Sequence, residues 1–459
     1  MLKRIIHSQV MAWMLRVVPV CMISGCSTLG TNDAPDLPMP RLGMKPVGDN
    51  DTTGQANPQT VAKPIPPDGS SQRAAIGLGE LLRLSLEQNP SLRQAGFEID
   101  AAQGRAVQAG LYPNPTVGVT GEEIGKRGGI QTFPLVSQEV VTGGKRGLSR
   151  SVAEREVDQA QLSLLRQHFA LFTTVREGYF AVLAIQRRIE VLDELVKLAT
   201  QTYENAQKLF KQQQIAELDV LPFQVELDRL RADAEAARRE QAAVWGRLAS
   251  GVGVPDLPLT PLTGSLEAAL PDYAFESARA AMLEVHPEIR SAQVGITRAQ
   301  LTLQRAEVER IPNVTLAAGY SRNFNDRENQ ATYQVSVPLP VWNRNQGNIS
   351  AAQAELGRAI QEVTRVQNDL TGRLWTAYGQ YAAARQRAER YRTAILPNAT
   401  KAYRLSQEAF RGGQFEYLRV LQAQRSAAEA NLEYIRALGE AWRAASEIAG
   451  LLLEEHWPL

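Results

Sequence analysis

Apolar residues recur every seven positions along residues 182–210. Val182, Ile189, Val196, Tyr203 and Phe210 form one series, and Ile185, Leu192, Ala199 and Ala206 form the interleaved one. Such a three-four alternation is the seam of a coiled coil. The second half carries the same pattern through Tyr381, Ala384, Ala388, Tyr391, Ile395, Asn398, Ala402, Leu405 and Ala409. Its frequent alanines suit close helix packing. No proline interrupts the stretch from Lys145 to about Lys211. It therefore predicts one helix about 100 Å long, at about 1.5 Å per residue. A helix of that length does not fit inside a compact domain, and helices beyond about 25 residues point to coiled coils. Further helices are expected over Gly79–Gln88, Ser91–Ala109, Glu217–Ser250, Phe275–Val285, Glu288–Arg310, Arg344–Arg411 and Glu416–Leu453. Turns at Lys211–Gln214 and Arg411–Gln414 fold each long helix onto its successor, giving two long antiparallel hairpins.

Four short segments change the period from helical to alternating. They are Thr116–Thr120, Pro134–Val141, Val314–Tyr320 and Thr332–Val337. In the last, Tyr333, Val335 and Val337 alternate with Thr332, Gln334 and Ser336. Apolar-out, polar-in alternation is the signature of a barrel strand. Loops rich in Gly, Asn and charge, Gly121–Thr132 and Ser321–Ala331, are expected between the strands. Four strands do not close a barrel, for which about eight is the practical minimum. Oligomerisation is therefore required: two copies would supply a tight eight, three would supply twelve.

These patterns occur twice. Leu86, Pro90, Ala95, Ile99, Ala102 and Gln103 recur at a shift of 197 as Leu283, Pro287, Ala292, Ile296, Ala299 and Gln300. Tyr203, Phe210, Gln214, Leu218, Val220, Leu221 and Gln224 recur at a shift of 200 as Tyr403, Phe410, Gln414, Leu418, Val420, Leu421 and Gln424. Between these blocks Tyr112-Pro113-Asn114 matches Ile311-Pro312-Asn313. A repeat this long is not a short solenoid unit. It predicts two equivalent halves, residues 75–264 and 265–459.

The N-terminus supplies an address. Lys3, Arg4 and Arg16 flank or interrupt an apolar stretch, Val10–Ile23, that is too short to span a bilayer. It reads as a signal peptide over residues 1–25. It ends in Ile23-Ser24-Gly25-Cys26, which resembles the lipobox of bacterial lipoproteins and marks Cys26 for lipid attachment. Ser27 in place of Asp favours sorting to the outer membrane. Residues 26–74 then form a tether, with eight prolines between Thr31 and Arg73.

Charge and composition narrow the function. Lys plus Arg number 50 against 49 Asp plus Glu, so nothing argues for nucleic acid. The only cysteine besides Cys26 is Cys21, which leaves no disulfide in a mature chain. No stretch of about 20 apolar residues occurs, so a membrane crossing must be a β-barrel. The four histidines, His7, His168, His286 and His456, pair with no Cys, carboxylate or other His at ligand spacing. Gly143-Gly144-Lys145-Arg146 lacks the phosphate-loop pattern and reads as a helix start. No enzyme activity, cofactor or metal site is expected.

The order of signal, tether, short helix, Asn-Pro break, strand pair and helical hairpin resembles the TolC-like outer-membrane efflux channels. The resemblance covers roughly residues 75–455. It is carried by Glu87-Gln88-Asn89-Pro90-Ser91-Leu92, Gly110-Leu111-Tyr112-Pro113-Asn114-Pro115, Gln138–Arg146 and Leu418-Arg419-Val420-Leu421-Gln422-Ala423-Gln424. The corner Pro338-Leu339-Pro340-Val341-Trp342-Asn343-Arg344-Asn345-Gln346-Gly347 is similar to that of the CzcC-like branch, associated with heavy-metal efflux.

The resemblance implies a mainly α chain with a small β part. Its helical hairpins would form a trimeric α-barrel in the periplasm, beneath a transmembrane β-barrel of twelve strands, four from each chain. A collar of short helices near residues 75–89, 251–287 and 450–459 would belt the tube. It further implies a homotrimer in outer-membrane lipid, a periplasmic adaptor protein and an inner-membrane pump of the RND type. The channel itself would be passive. Gating would fall at the hairpin turns, where related channels narrow through acidic rings. Arg419 and Gln422 stand where relatives carry acids, and Glu217, Asp219 and Glu416 lie close by as a candidate cation-attracting ring. The competing readings are a multidrug or type I secretion channel and, in another class, a lipid-anchored coiled-coil adaptor or scaffold.

Overall fold

The computed structural model describes residues 75–125, 128–411 and 417–455. Cys26, the expected leader and tether, and Glu416 lie outside the described residues. Helix α1 (Leu78–Gln88) leads into α2 (Pro90–Gly110), followed by strands β1 (Thr116–Gly125) and β2 (Gly128–Val140). Two long helices come next, α3 (Lys145–Lys211) and α4 (Glu217–Val252). The second half repeats the order with α5 (Phe275–Val285), α6 (Pro287–Val308), β3 (Val314–Asn323), β4 (Asn329–Ser336), α7 (Gln346–Arg390), α8 (Leu396–Arg411) and α9 (Tyr417–Leu451). A π-helical turn, Tyr391–Ile395, joins α7 to α8.

Each short helix breaks from the next at an X-Pro pair, because proline fixes the first helical turn and disfavours helix in the residue before it. Asn89 caps α2 by accepting the Ser91 N–H at 2.9 Å, while its amide donates to the Gly251 carbonyl at 2.7 Å. His286 holds the matching place ahead of Pro287, and its Nδ1 accepts the Glu288 N–H at 3.3 Å. An imidazole accepts only when neutral. Burial pushes the His286 pKa down to about 4, which keeps it so.

The core sits where α1, α3, α4 and α9 meet the irregular segment 253–274. Trp442 is fully buried and stacks on Phe180, with ring centroids 4.2 Å apart and planes within 3°. Aromatic side chains tie the irregular segment down by donating to its carbonyls. Trp245 Nε1 donates to Leu257 at 2.8 Å, Tyr179 to Thr263, Trp442 Nε1 to Leu266 at 2.8 Å, and Tyr381 to Pro271. Those bonds satisfy backbone groups that lack a secondary-structure partner. Of the stretches expected to supply short helices for a collar, 75–89 contains α1 and 251–287 contains α5. Residues 450–455, however, finish α9 and its turn and form no separate helix.

Of the two interleaved seam series on α3, Ile185, Leu192, Ala199 and Ala206 are all buried. The other opens progressively, from buried Val182 through half-buried Ile189, Val196 and Tyr203 to exposed Phe210. On α7 the seam is buried at Tyr381, Ala384 and Ala388, but Ile395, Asn398, Ala402 and Leu405 are exposed. The cause is Pro397. It offers no N–H to the ladder and its ring crowds the carbonyl of Thr393. The helix absorbs this as the π turn just before it. Beyond the π turn Leu396 packs against the core, and Tyr403 and Ala409 are half-buried.

Candidate functional site, the strand sheet and the hairpin tip

Among the described residues no helix is long and apolar enough to cross a membrane. The strands form one antiparallel sheet in the order β1-β2-β3-β4. They run further than expected, to 10, 13, 10 and 8 residues. The expected loops at Gly121–Thr132 and Ser321–Ala331 are largely strand, because Gly121, Glu122, Gln131 and Ile130 pair with one another. At the far end Ser321 and Arg322 pair with Gln330 and Asn329.

Register sorts the side chains by face. One row runs Val117, Val136, Ala318, Tyr333. On the same face lie Val119, Leu316, Tyr320, Val335, Val140 and Val314. The opposite face carries the row Thr116, Ser137, Ala317, Gln334 and the row Gly118, Leu135, Gly319, Thr332. There Thr132 and Ser321 hydroxyls meet at 2.8 Å, and Ser321 also bonds Thr332. The apolar face is bare: Tyr333 is 86% exposed and Val117 67%. From Val314 to Tyr320 it stands about 20 Å tall along the strand. This is a wall with one face for lipid and one for water. Among the described residues its outer edges, β1 and β4, have no partner, and an open edge cannot lie in hydrocarbon.

The wall joins the helices at a polar corner. Helix α3 begins after Gly144, whose φ of 68° is left-handed and suits glycine. Lys145 is only 2% exposed, and its Nζ donates to Asn313 Oδ1 at 2.8 Å and lies 3.6 Å from Glu309. Thr142 Oγ1 donates to the Pro312 carbonyl at 2.6 Å, and Asn313 Nδ2 to Glu139 at 2.7 Å. Lys145 therefore does begin a helix, and it also locks the first half to the second. A lysine after Gly-Gly carries no sequence signal for that burial.

At the other end of the long helices, Val220, Phe223, Leu421 and Ala206 form a buried cluster, which sets the starts of α4 and α9 side by side. Asp219 is half-buried, and its carboxylate accepts the Ala216 N–H at 3.0 Å. It closes the first turn of α4, a role charged residues fill at helix starts. Glu217, Arg419 and Gln422 are exposed around the cluster, and Glu416 lies outside the described residues. Sequence reading passed over one charged pair here. Glu226, 5% exposed, accepts from Arg425 Nε at 2.6 Å and so ties α4 to α9. A pair spanning 199 residues has no local signature.

Residues 81–254 and 279–452 both match the model of the family described as Outer membrane efflux protein. The chain is 28% identical to the cobalt-zinc-cadmium resistance protein CzcC of Cupriavidus metallidurans, over 88% of this chain and 96% of that protein. It is 26% identical to the nickel-cobalt-cadmium resistance protein NccC of Alcaligenes xylosoxydans xylosoxydans, over 69% and 72%. Its fold matches the outer membrane protein VceC of Vibrio cholerae with a TM-score of 0.68, at 17% identity over 82% of this chain and 95% of that one. With a two-faced wall, paired helical hairpins and family matches in both halves, the chain belongs to the outer membrane efflux protein family and is an outer-membrane efflux channel.

Proposed function

We infer that this channel exports divalent heavy-metal cations as the outer-membrane part of a three-component efflux system. The observation that carries the substrate reading is the near full-length likeness to a cobalt-zinc-cadmium resistance protein. The architecture supports the assembly. Three copies would bring twelve strands, enough to close a water-filled barrel without an edge in lipid. The hairpins would hang as a helical tube into the periplasm, where an adaptor and an RND-type inner-membrane pump would dock. The pump would supply the energy and the channel only the path. Residues 1–25 would be the leader, with Cys26 acylated and 26–74 tethering it to the body. Residues 75–264 and 265–459 would be the two halves of each subunit. A chromosomal deletion is expected to sensitise cells to cobalt, zinc or cadmium, with rescue by the intact gene. Sensitivity to hydrophobic drugs with unchanged metal tolerance would instead support a multidrug channel.

The tip would be the gate. Glu217, Glu416, Arg419 and Gln422 would rim it, with Asp219 fixing the turn behind them. The Glu226–Arg425 pair would hold α9 against α4 in the state seen here. Arg425→Ala leaves a buried carboxylate without its partner, at a cost of about 1–3 kcal/mol. The variant is expected to show a larger open fraction in planar-bilayer recordings. Unchanged conductance would separate this pair from gating.

A further inference from the structure

The apolar face of the wall ends in a row of hydrogen-bond donors. Along β3 that face reads Val314, Leu316, Ala318, Tyr320 and then Arg322, because alternate residues share a face. Strand β3 has 10 residues, and a tilted strand needs about 9–11 to cross hydrocarbon. Val314 stands at the helix end of that crossing and Arg322 at the far end. Register carries the polar row across all four strands: Gly121 faces Gln131, Gln131 faces Arg322, and Arg322 faces Asn329. Just inside this row the same face is aromatic. Tyr320 is exposed, and so is Phe133, in the bulge of β2 that lies opposite it. Aromatic residues at such a boundary mark the headgroup level of a membrane barrel.

Three properties fit the row to an anion. Gln131, Arg322 and Asn329 are all exposed and stand on adjacent strands, within two strand spacings, about 10 Å. Among the described residues no carboxylate forms an ion pair with Arg322. Glu122 sits in the row with Ile130 and Asn323, on the opposite face of the sheet, and Asp326 accepts from Asn323 Nδ2 at 3.0 Å. Arg322 is also held in place. Its guanidinium carbon lies 5.8 Å from the centroid of the Phe324 ring, and the Phe324 N–H donates to the Gly129 carbonyl at 2.9 Å. A guanidinium braced on a ring keeps its donor fork free for an oxyanion.

Resting on the reading of this sheet as an outer-membrane barrel wall, we propose that Arg322, flanked by Gln131 and Asn329, binds a phosphate of the outer-leaflet glycolipid, lipopolysaccharide. The long helices leave the wall at its Val314 end and hang into the periplasm, so Arg322 stands at the level of the outer leaflet. The phosphates of that leaflet are ordinarily neutralised and bridged by divalent cations. A guanidinium neutralises them from the protein side and needs no metal. Near an interface the cost of an arginine on the lipid face is small, and its aliphatic stem covers apolar surface while the head reaches the phosphate. The distinction matters for a channel whose proposed cargo is itself divalent: the contact between protein and lipid holds whatever the metal concentration at the mouth.

The test is lipid retention by the full-length oligomer, extracted from outer membranes in mild detergent with EDTA. The wild-type protein is expected to keep bound lipopolysaccharide through chelation. Arg322→Gln is expected to bind it about fivefold more weakly, the effect of one cation at an anionic lipid surface. Arg344→Gln makes the same charge change at the helix end of the wall and is expected to retain lipopolysaccharide as the wild type does. Added lipid A should raise the temperature at which the wild-type oligomer dissociates, and dephosphorylated lipid A should not. Equal retention by Arg322→Gln, or equal stabilisation by the dephosphorylated lipid, would overturn the phosphate site while the barrel stands. Retention of phosphatidylglycerol in place of lipopolysaccharide would overturn the choice of leaflet. A monomeric wild-type protein that leaves the membrane without detergent would overturn the barrel reading, and this site with it.

Discussion

Trp442→Ala is expected to lower stability by about 3–5 kcal/mol, as large aromatic truncations in close-packed cores do. Three losses coincide at this position. The ring stack with Phe180 at 4.2 Å disappears, the indole no longer donates to the Leu266 carbonyl at 2.8 Å, and a fully buried volume empties. The surroundings are poorly able to collapse. Tyr179, which precedes Phe180, is itself fixed by its bond to Thr263, and α3 is continuous from Lys145 to Lys211. Trp442→Phe keeps most of the stack and loses the hydrogen bond, so about 1–2 kcal/mol is expected. Denaturant titration in detergent, followed by circular dichroism, separates the two variants. Equal midpoints for both would show that the stack contributes little and that the carbonyl tie carries the effect.

Much of the architecture was legible in the sequence because long elements repeat one period many times. The ends of α3, Lys145 and Lys211, follow from Gly143-Gly144 before and Gln212-Gln213-Gln214 after. The two faces of β4 follow from strict alternation over Thr332–Val337. What escaped was local competition. Pro397 lies inside a run of otherwise good helix formers, and the surrounding packing keeps the helix going by converting one turn to π geometry rather than ending it. Gly121 and Glu122 look like loop residues, yet cross-strand bonding to Gln131 and Ile130 outweighs their weak strand preference.

The candidate site divides in the same way. Asp219 was singled out for its charge, but its position three residues after Ala216 makes it a helix-start group, an offset visible in the sequence. Lys145, Asn313 and Glu226 were not visible as partners, since each contact joins residues more than 160 positions apart. The internal repeat makes up part of that deficit. A contact observed in one half tells where its counterpart should be sought in the other.

Tyr333→Arg should prevent assembly, while Gln334→Arg, one residue away, should not. Tyr333 lies in the row Val117, Val136, Ala318 and Tyr333 on the bare apolar face. Arginine near the middle of the hydrocarbon costs about 2–4 kcal/mol, and less towards either interface. Each copy brings the same penalty, so a trimer bears it three times. Gln334 lies on the opposite face, in the row of Thr116, Ser137 and Ala317, where its replacement would meet water. The guanidinium there should alter ion selectivity towards anions without affecting insertion. Outer-membrane fractions run unheated on gels distinguish the outcomes. The Tyr333 variant should be absent as an oligomer and the Gln334 variant present at normal levels. If both variants assemble equally well, the face bearing Tyr333 does not contact lipid, and the sheet cannot be the membrane wall. The pairing of variants matters because a general folding defect at the edge strand would remove both, whereas only a lipid-facing surface distinguishes neighbours one residue apart.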